Sequence, residues 1–373
     1  MATYLVTGGA GFIGSHIVDA LLEEGHAVRI LDNLQPRVHP RGTPSYIPKD
    51  AELIEGDVRD EDVLARALGG VERIFHLAAY QDYMLDFSTF FQVNAVSPAL
   101  MVELIVREGI QVEKIVFVST QAVYGEGKYR CPEDGIFYPA PRTLQQLRDA
   151  QWEIRCPRCG GEGQWQLTDE RTVNPHTAYA ISKYCSELSF INLARRYGIP
   201  AVGLRYSITQ GPRNSFYNAY SGVCRIFAQR ILSSDRPIVF EDGGQLRDYV
   251  NVEDVVRATL MVMEMREADY QVFNVGGGRA VSVTEFLRVM AEVFGRDIDP
   301  LLSGEFRYGD TRHTVSDISA LHRLGWEPRV PLEESIRRYV AWLVEQPDAP
   351  GHRYLDADGD MRARGVIQKG SRR

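Results

Sequence analysis

The sequence predicts an α/β fold built on a parallel, doubly wound sheet. Short apolar runs alternate with helical patterns from residue 4 to residue 118, and the connections between them are mostly short. The first strand-to-helix turn packs four glycines into the seven residues Gly8 to Gly14. Beyond residue 200 a second series of strand and helix patterns follows, enough for a smaller lobe.

Residues 4–7 read as a short buried strand, and Phe12 and Ile13 begin a helical apolar pattern. The turn between them fits both Gly9-x-Gly11-x-x-Gly14 and Gly8-x-x-Gly11-x-x-Gly14. Glycines permit a tight turn and close approach, while free backbone N–H groups and the helix dipole favour a pyrophosphate. The next strand, 27–31, ends at Asp32, followed by Asn33. A carboxylate about 20 residues past such a loop binds adenosine ribose hydroxyls and would repel a 2′-phosphate, which favours NAD over NADP. The competing reading of Asp32 is an acidic turn residue.

A proline-rich loop at 37–49 precedes a strand at 52–55, a helix at 60–68, a strand at 73–77, a long helix at 87–107 and a strand at 114–118. Ligands of doubly wound sheets lie at the carboxyl ends of the strands. That rule selects Asp57 with Val58, Ala78 with Ala79, and Ser119 with Thr120 as residues facing a cofactor crevice.

Residues 126–172 interrupt the alternation with a weakly periodic insertion. It holds Cys156-Pro-Arg-Cys159-Gly and, upstream, Cys131-Pro-Glu-Asp134-Gly. Two such turns suit tetrahedral zinc, with Asp134 or a nearby histidine such as His176 as fourth ligand beside Cys131, Cys156 and Cys159. A loop that merely contains reduced cysteines is the alternative, and a redox pair is disfavoured because the thiols do not open a βα helix. Helix returns at 176–197, followed by a strand at 201–206, a helix from about 219 to 232, a strand at 237–240, and the stretch 246–250, which leads into the next helix. A helix at 252–265, a strand at 272–275 and a helix at 284–294 follow, and the segments 317–324 and 332–345 complete the smaller α/β lobe. The expected plan is a dinucleotide-binding domain at 1–205 carrying the insertion, a substrate lobe at 206–345 whose segments interleave with it, and a poorly packed tail at 346–373.

Bulk properties narrow the function. The 373 residues carry a formal net charge of -8, which argues against a nucleic-acid surface. No apolar run is expected to span a membrane and no signal pattern opens the chain. Five cysteines, an odd number, do not suggest a disulfide framework, so a cytoplasmic enzyme is expected.

Tyr179 and Lys183, at i and i+4, share one helix face. A phenol becomes a useful base when a nearby ammonium lowers its pKa. With a hydroxyl from Ser119 or Thr120, and a bound dinucleotide, the group suits proton removal from an alcohol as hydride leaves its carbon. A solitary Tyr-x-x-x-Lys is usually surface decoration; downstream of the glycine turn it gains meaning.

These motifs, together with His76-Leu77-Ala78-Ala79, Asn94, Ser119 to Gly125, Leu204-Arg205-Tyr206, Gly211-Pro-Arg213, Leu246 to Val250 and Arg307 to Asp310, resemble the extended short-chain dehydrogenase/reductases, specifically the nucleotide-sugar epimerase/dehydratase group. The resemblance spans about residues 2–345. It implies a Rossmann-type domain with a smaller C-terminal α/β substrate lobe. Thr120 is then the substrate-side hydroxyl, Tyr179 the acid/base, and Lys183 the holder of the nicotinamide ribose. NAD would lie against Gly8, Gly11, Phe12, Ile13, Gly14, Asp32, Asn33, Asp57, Val58, Leu77, Ala78, Ala79, Asn94 and Tyr206. The substrate would lie against Gln81, Gln121, Asn218, Arg247, Arg307 and Asp310, the guanidinium forks suiting a diphosphate.

Within that group, 4,6-dehydratases typically carry Asp-Glu after the threonine, whereas this chain has Gln121-Ala122 and lacks that acid–base pair. The resemblance therefore implies a 4-epimerase of a UDP- or dTDP-hexose. Ile208 stands where the group often has an asparagine that helps hold the sugar. A nucleotide-sugar decarboxylase or uronate epimerase would use the same C4 oxidation; an NAD-sensing scaffold and a nucleic-acid ribbon are rivals of other classes. The apolar faces of 87–107 and 176–197 suggest an intersubunit helical bundle and hence a homodimer.

Overall fold

The computed structural model describes residues 1–82, 85–217, 222–346, 349 and 357–370. Seven parallel strands form the main sheet: β1 (Thr3–Thr7), β2 (Ala27–Asp32), β3 (Glu52–Glu55), β4 (Arg73–His76), β5 (Lys114–Thr120), β6 (Ala201–Tyr206) and β7 (Val272–Val275). Their spatial order is β7-β6-β5-β4-β1-β2-β3, so the winding reverses beside β1, where β2 and β4 are its two neighbours. That reversal opens a crevice at the carboxyl ends of β1 and β4.

Alternation along β1 explains why the sheet is covered twice. Tyr4 and Val6 join a core with Ile30, Phe75, Val116 and Leu204 against the helices Phe12–Glu23 and Val252–Glu264. Leu5 faces the other way, with Leu31, Ile74, Ile115 and Phe117, against Glu61–Leu68 and Ser97–Arg107. Strands buried on both faces read as continuous apolar runs, as these do.

The long helix Phe87–Arg107 contains a π turn at Gln92–Val96, and the helix Ala178–Leu188 continues into a second one at Ser189–Ala194. Contrary to the sequence expectation, Phe87–Arg107 is long and apolar enough by composition to cross a membrane, with mean hydropathy 1.5 over its richest window. In this fold 44% of that window is buried, and the helix packs against Ala178–Leu188 and Ser189–Ala194.

The insertion folds into its own antiparallel sheet, with Lys128–Cys131 between Gly135–Phe137 and Gln164–Gln166. Strands of three or four residues are too short to show a period. The smaller lobe is organised around Leu246–Asn251, which pairs with Ile208–Gln210 and with Ala280–Ser282. Phe227, Phe286, Leu287, Met290, Ile336 and Tyr339 form its core. The chain passes between lobes more than once, since β7 and Val252–Glu264 return to the main sheet.

The expected loose tail is corrected by the structure. Ala357–Ala363 is helical, and Ile367–Lys369 pairs antiparallel with Glu305–Arg307. Met361 and Ile367 are buried, and the Arg362 guanidinium forks onto both Glu305 oxygens at 3.0 Å. Met361 and the adjacent Val366 and Ile367, set among glycines and charges, gave no period from which this docking could be read.

Candidate active site

The glycine turn is shaped by close backbone approach. Gly8 has φ +71°, and a Cβ on it would lie 2.8 Å from Ala78 N; one on Gly14 would lie 2.2 Å from Gly8 O. The turn closes through Gly11 N donating to Gly8 O at 3.1 Å. Gly11 begins the helix Phe12–Glu23 without a side-chain cap, which leaves its first N–H groups to a ligand. The space and donors suit a dinucleotide pyrophosphate.

Asp32 ties the second strand to this turn. Its carboxylate accepts from Ala10 N at 3.0 Å and Leu34 N at 2.9 Å, and burial raises its pKa. Asn33 donates to Asp57 at 3.1 Å, and Arg59 forks onto Asp57 at 2.9 and 2.8 Å, holding that carboxyl below its usual value. Val58 is buried behind it. Leu77 N donates to Thr7 O and Ala78 N to Thr7 Oγ1, so the end of β4 is pinned to β1 and carries Ala79 with it. Phe12 and Ile13 are half-buried on the first helical turn.

The proton-handling group is assembled from β5 and the helix Ala178–Leu188. Thr177 caps that helix by accepting from Ala180 N at 3.1 Å, which puts Tyr179 in the first turn and Lys183 one turn further. Tyr179 is half-buried, whereas Lys183 is 1% exposed. Burial pushes the Lys183 ammonium down to about 8, against the pull of Glu187. His76 is held neutral, at about 3, by burial and by Lys183, and its Nδ1 lies 2.9 Å from Thr7 Oγ1.

Ser119 and Thr120 are separated by their partners. Ser119 is buried and donates to Glu187, which also receives a two-pronged contact from Arg205 at 2.8 Å. Thr120 ends β5 with its Oγ1 accepting, among the described residues, only a 3.2 Å bond from Ala122 N, leaving its hydroxyl hydrogen for another acceptor. The Glu187–Arg205 pair went unread in the sequence: nothing in the spacing of two charges on different elements announces a buried contact.

The remaining residues expected at the cofactor and substrate differ in their surroundings. The Tyr206 side chain is buried on the opposite side, its hydroxyl 2.6 Å from Thr259, so a cofactor could meet only its backbone. Asn94 sits in the π turn and spends its amide on Tyr80 and Ser182, which makes it a brace. Gln81 is exposed, and Gln121 is half-buried with Oε1 unpartnered among the described residues. Arg247 donates to the carbonyls of Thr311 and Arg312 at 2.8 and 2.9 Å. Arg307 stacks on Phe240 and lies 4.0 Å from Asp310, while Asn218 lies outside the described residues. Cys131, Asp134, Cys156 and Cys159 converge, whereas His176 lies apart, beside Gly125.

Comparison with known proteins agrees with this geometry. A dTDP-L-rhamnose 4-epimerase of Burkholderia thailandensis is 32% identical over 358 residues, covering 92% of this chain and 95% of the relative. The structure of a UDP-glucose 4-epimerase from Thermotoga maritima with UDP-glucose matches with TM-score 0.76 at 32% identity, covering 92% of this chain and 99% of that one. A UDP-glucose 4-epimerase of Thermus thermophilus in complex with NAD matches with TM-score 0.69 at 30% identity, covering 91% and 98%. The pattern that defines the NAD dependent epimerase/dehydratase family matches residues 4–143 and 159–276, which include the glycine turn, Thr120, Tyr179 and Lys183. The chain belongs to the NAD dependent epimerase/dehydratase family.

Proposed function

We propose that the chain is an NAD-dependent 4-epimerase of a UDP- or dTDP-linked hexose. One observation carries the reading: Tyr179 stands one helical turn from the buried Lys183, near the end of the strand that supplies Thr120, and Thr120 is followed by Gln121-Ala122. NAD held by the glycine turn, Asp32 and Lys183 supplies a hydride acceptor that can return what it takes. Tyr179 accepts the proton of the sugar C4 hydroxyl, its phenolate favoured by the Lys183 charge. Thr120 shares that proton and orients the hydroxyl. After the 4-keto sugar rotates, hydride re-enters on the other face and Tyr179 returns the proton. Gln121 and Ala122 offer neither acid nor base, which supports a cycle without loss of water. Arg247 and Arg307 supply positive charge for the diphosphate from the smaller lobe.

The same reading includes a homodimer in a reducing, cytoplasmic compartment. Phe87, Val96, Ile181, Leu188 and Leu193 are exposed apolar residues on the two long helices, as an intersubunit bundle requires, and all five cysteines are free. Light scattering at micromolar concentration should give twice the chain mass; a monomer mass refutes that part. Activity is tested by incubating UDP-, dTDP-, GDP- and CDP-sugars with the protein and no added NAD, followed by sugar analysis. C4 epimers of a UDP- or dTDP-hexose are expected, and Tyr179→Phe should lose nearly all turnover. Unchanged epimerisation by that variant sinks the mechanism.

A further inference from the structure

The insertion carries four donor groups that the reaction above does not use. They come from two turns of one form, Cys131-Pro-Glu-Asp134-Gly135 and Cys156-Pro-Arg-Cys159-Gly160. Both end on a left-handed glycine, Gly135 at φ +80° and Gly160 at φ +73°, so each turn curls its two donors to one side. Backbone N–H groups point at the sulfurs: Arg158 N lies 3.5 Å from Cys156 Sγ, and Gly161 N 3.4 Å from Cys159 Sγ. Such bonds favour thiolate over thiol.

Distances among the donors suit one small ion. Cys131 Sγ is 3.4 Å from Cys159 Sγ and 3.7 Å from Asp134 Oδ2, which is 3.1 Å from Cys156 Sγ. All four atoms lie within 4.8 Å of one another. A tetrahedron with metal–sulfur bonds of about 2.3 Å and a metal–oxygen bond of about 2.0 Å has edges of roughly 3.5–3.8 Å. Hydrogen bonds alone leave two buried sulfurs and a carboxylate crowded together, a cluster of would-be anions that a dication neutralises.

We propose that Cys131 Sγ, Asp134 Oδ2, Cys156 Sγ and Cys159 Sγ form a structural zinc site. Three thiolates select a soft metal over magnesium or calcium. Four protein ligands close the coordination sphere, so the ion has a structural role and no open position for catalysis. His176, the other fourth-ligand candidate, lies beside Gly125 and takes no part.

The fold gives such a staple a purpose. The insertion's strands are three or four residues long, and its second turn begins in the stretch 144–158 that the family pattern passes over. Between the two turns the chain carries Arg142 and Glu153. Arg142 forks onto Glu241 at 2.9 and 2.8 Å, and Glu153 reaches Arg312 at 2.9 Å and His313 at 3.0 Å. Zinc joining the two turns therefore clamps both ends of the loop that braces the segment on which Arg247 docks.

The full chain, made without an affinity tag of histidines and purified under reductant, is analysed for metals by plasma emission. About one zinc per chain is expected; Cys156→Ser and Cys159→Ser should fall to background, and His176→Ala should keep its metal. Asp134→Cys should retain zinc and lose it more slowly to a chelator. Should the serine variants fold poorly, thiol titration of the parent decides: stripping the metal should expose three further reactive thiols, and added zinc alone should protect them again. Iron in place of zinc, a zinc content that both serine variants retain, or thiols equally reactive with and without zinc overturns the assignment.

Discussion

Lys183→Met replaces an ammonium by an uncharged side chain of similar length at a position 1% exposed. Burial is the main reason the Lys183 pKa falls from 10.5 to about 8. A fall of that size corresponds to a penalty of roughly 3 kcal/mol for keeping the proton in the folded state. The folded pKa is the lower one, so the penalty is fully present below about 8. Between about 8 and 10.5 the unfolded chain holds the extra proton, and the stability of the parent rises with pH. The variant carries no such penalty, although it loses the attraction of Glu187. Stripped of dinucleotide, it should be more stable than the parent by about 1–3 kcal/mol at pH 7, and the gap should shrink towards pH 10. Urea unfolding followed by tryptophan fluorescence at both pH values measures this. Turnover should meanwhile fall by about 10²-fold or more, because the phenol loses the charge that favours its ionisation. A variant less stable than the parent at pH 7, or a gap independent of pH, refutes the reasoning.

Gly14→Ala places a methyl 2.2 Å from Gly8 O, where only backbone movement can relieve it; a loss of about 1–3 kcal/mol and release of bound NAD on gel filtration are expected. Gly69→Ala is its control, since φ there is -60° and the nearest atom is 3.4 Å away, so both readouts should stay near the parent. Glu187→Gln removes the carboxylate that pairs directly with the buried Arg205 guanidinium and should cost about 3–5 kcal/mol in urea unfolding, with a midpoint near the parent's counting against the buried pair.

What could be read from the sequence was whatever obeys a local rule. The alternation of Tyr4, Leu5 and Val6 and the spacing of Gly8, Gly11 and Gly14 encode a strand, a turn and a helix start without any distant partner. Tyr179 and Lys183 were legible because four residues along a helix is a fixed geometry. Tyr206 shows the limit of that reasoning. It lies at the end of a strand, where ligands gather, yet the period of two that puts Leu204 in the core puts Tyr206 on the same side, towards Thr259. The choice between Ser119 and Thr120 needed Glu187, which lies 68 residues beyond Ser119 and also holds Arg205. The strand Ile367–Lys369 docks on residues some 60 positions earlier, and no short window contains both halves of such a pair.

The central claim is that hydride leaves the sugar C4 and returns to it within one bound complex. A UDP- or dTDP-hexose deuterated at C4, converted without added NAD and followed by NMR, tests it most directly. Deuterium should be kept at C4 of the epimer, with none lost to water and none acquired when unlabelled sugar reacts in deuterated solvent. Epimerisation with label exchanged into solvent would contradict the account.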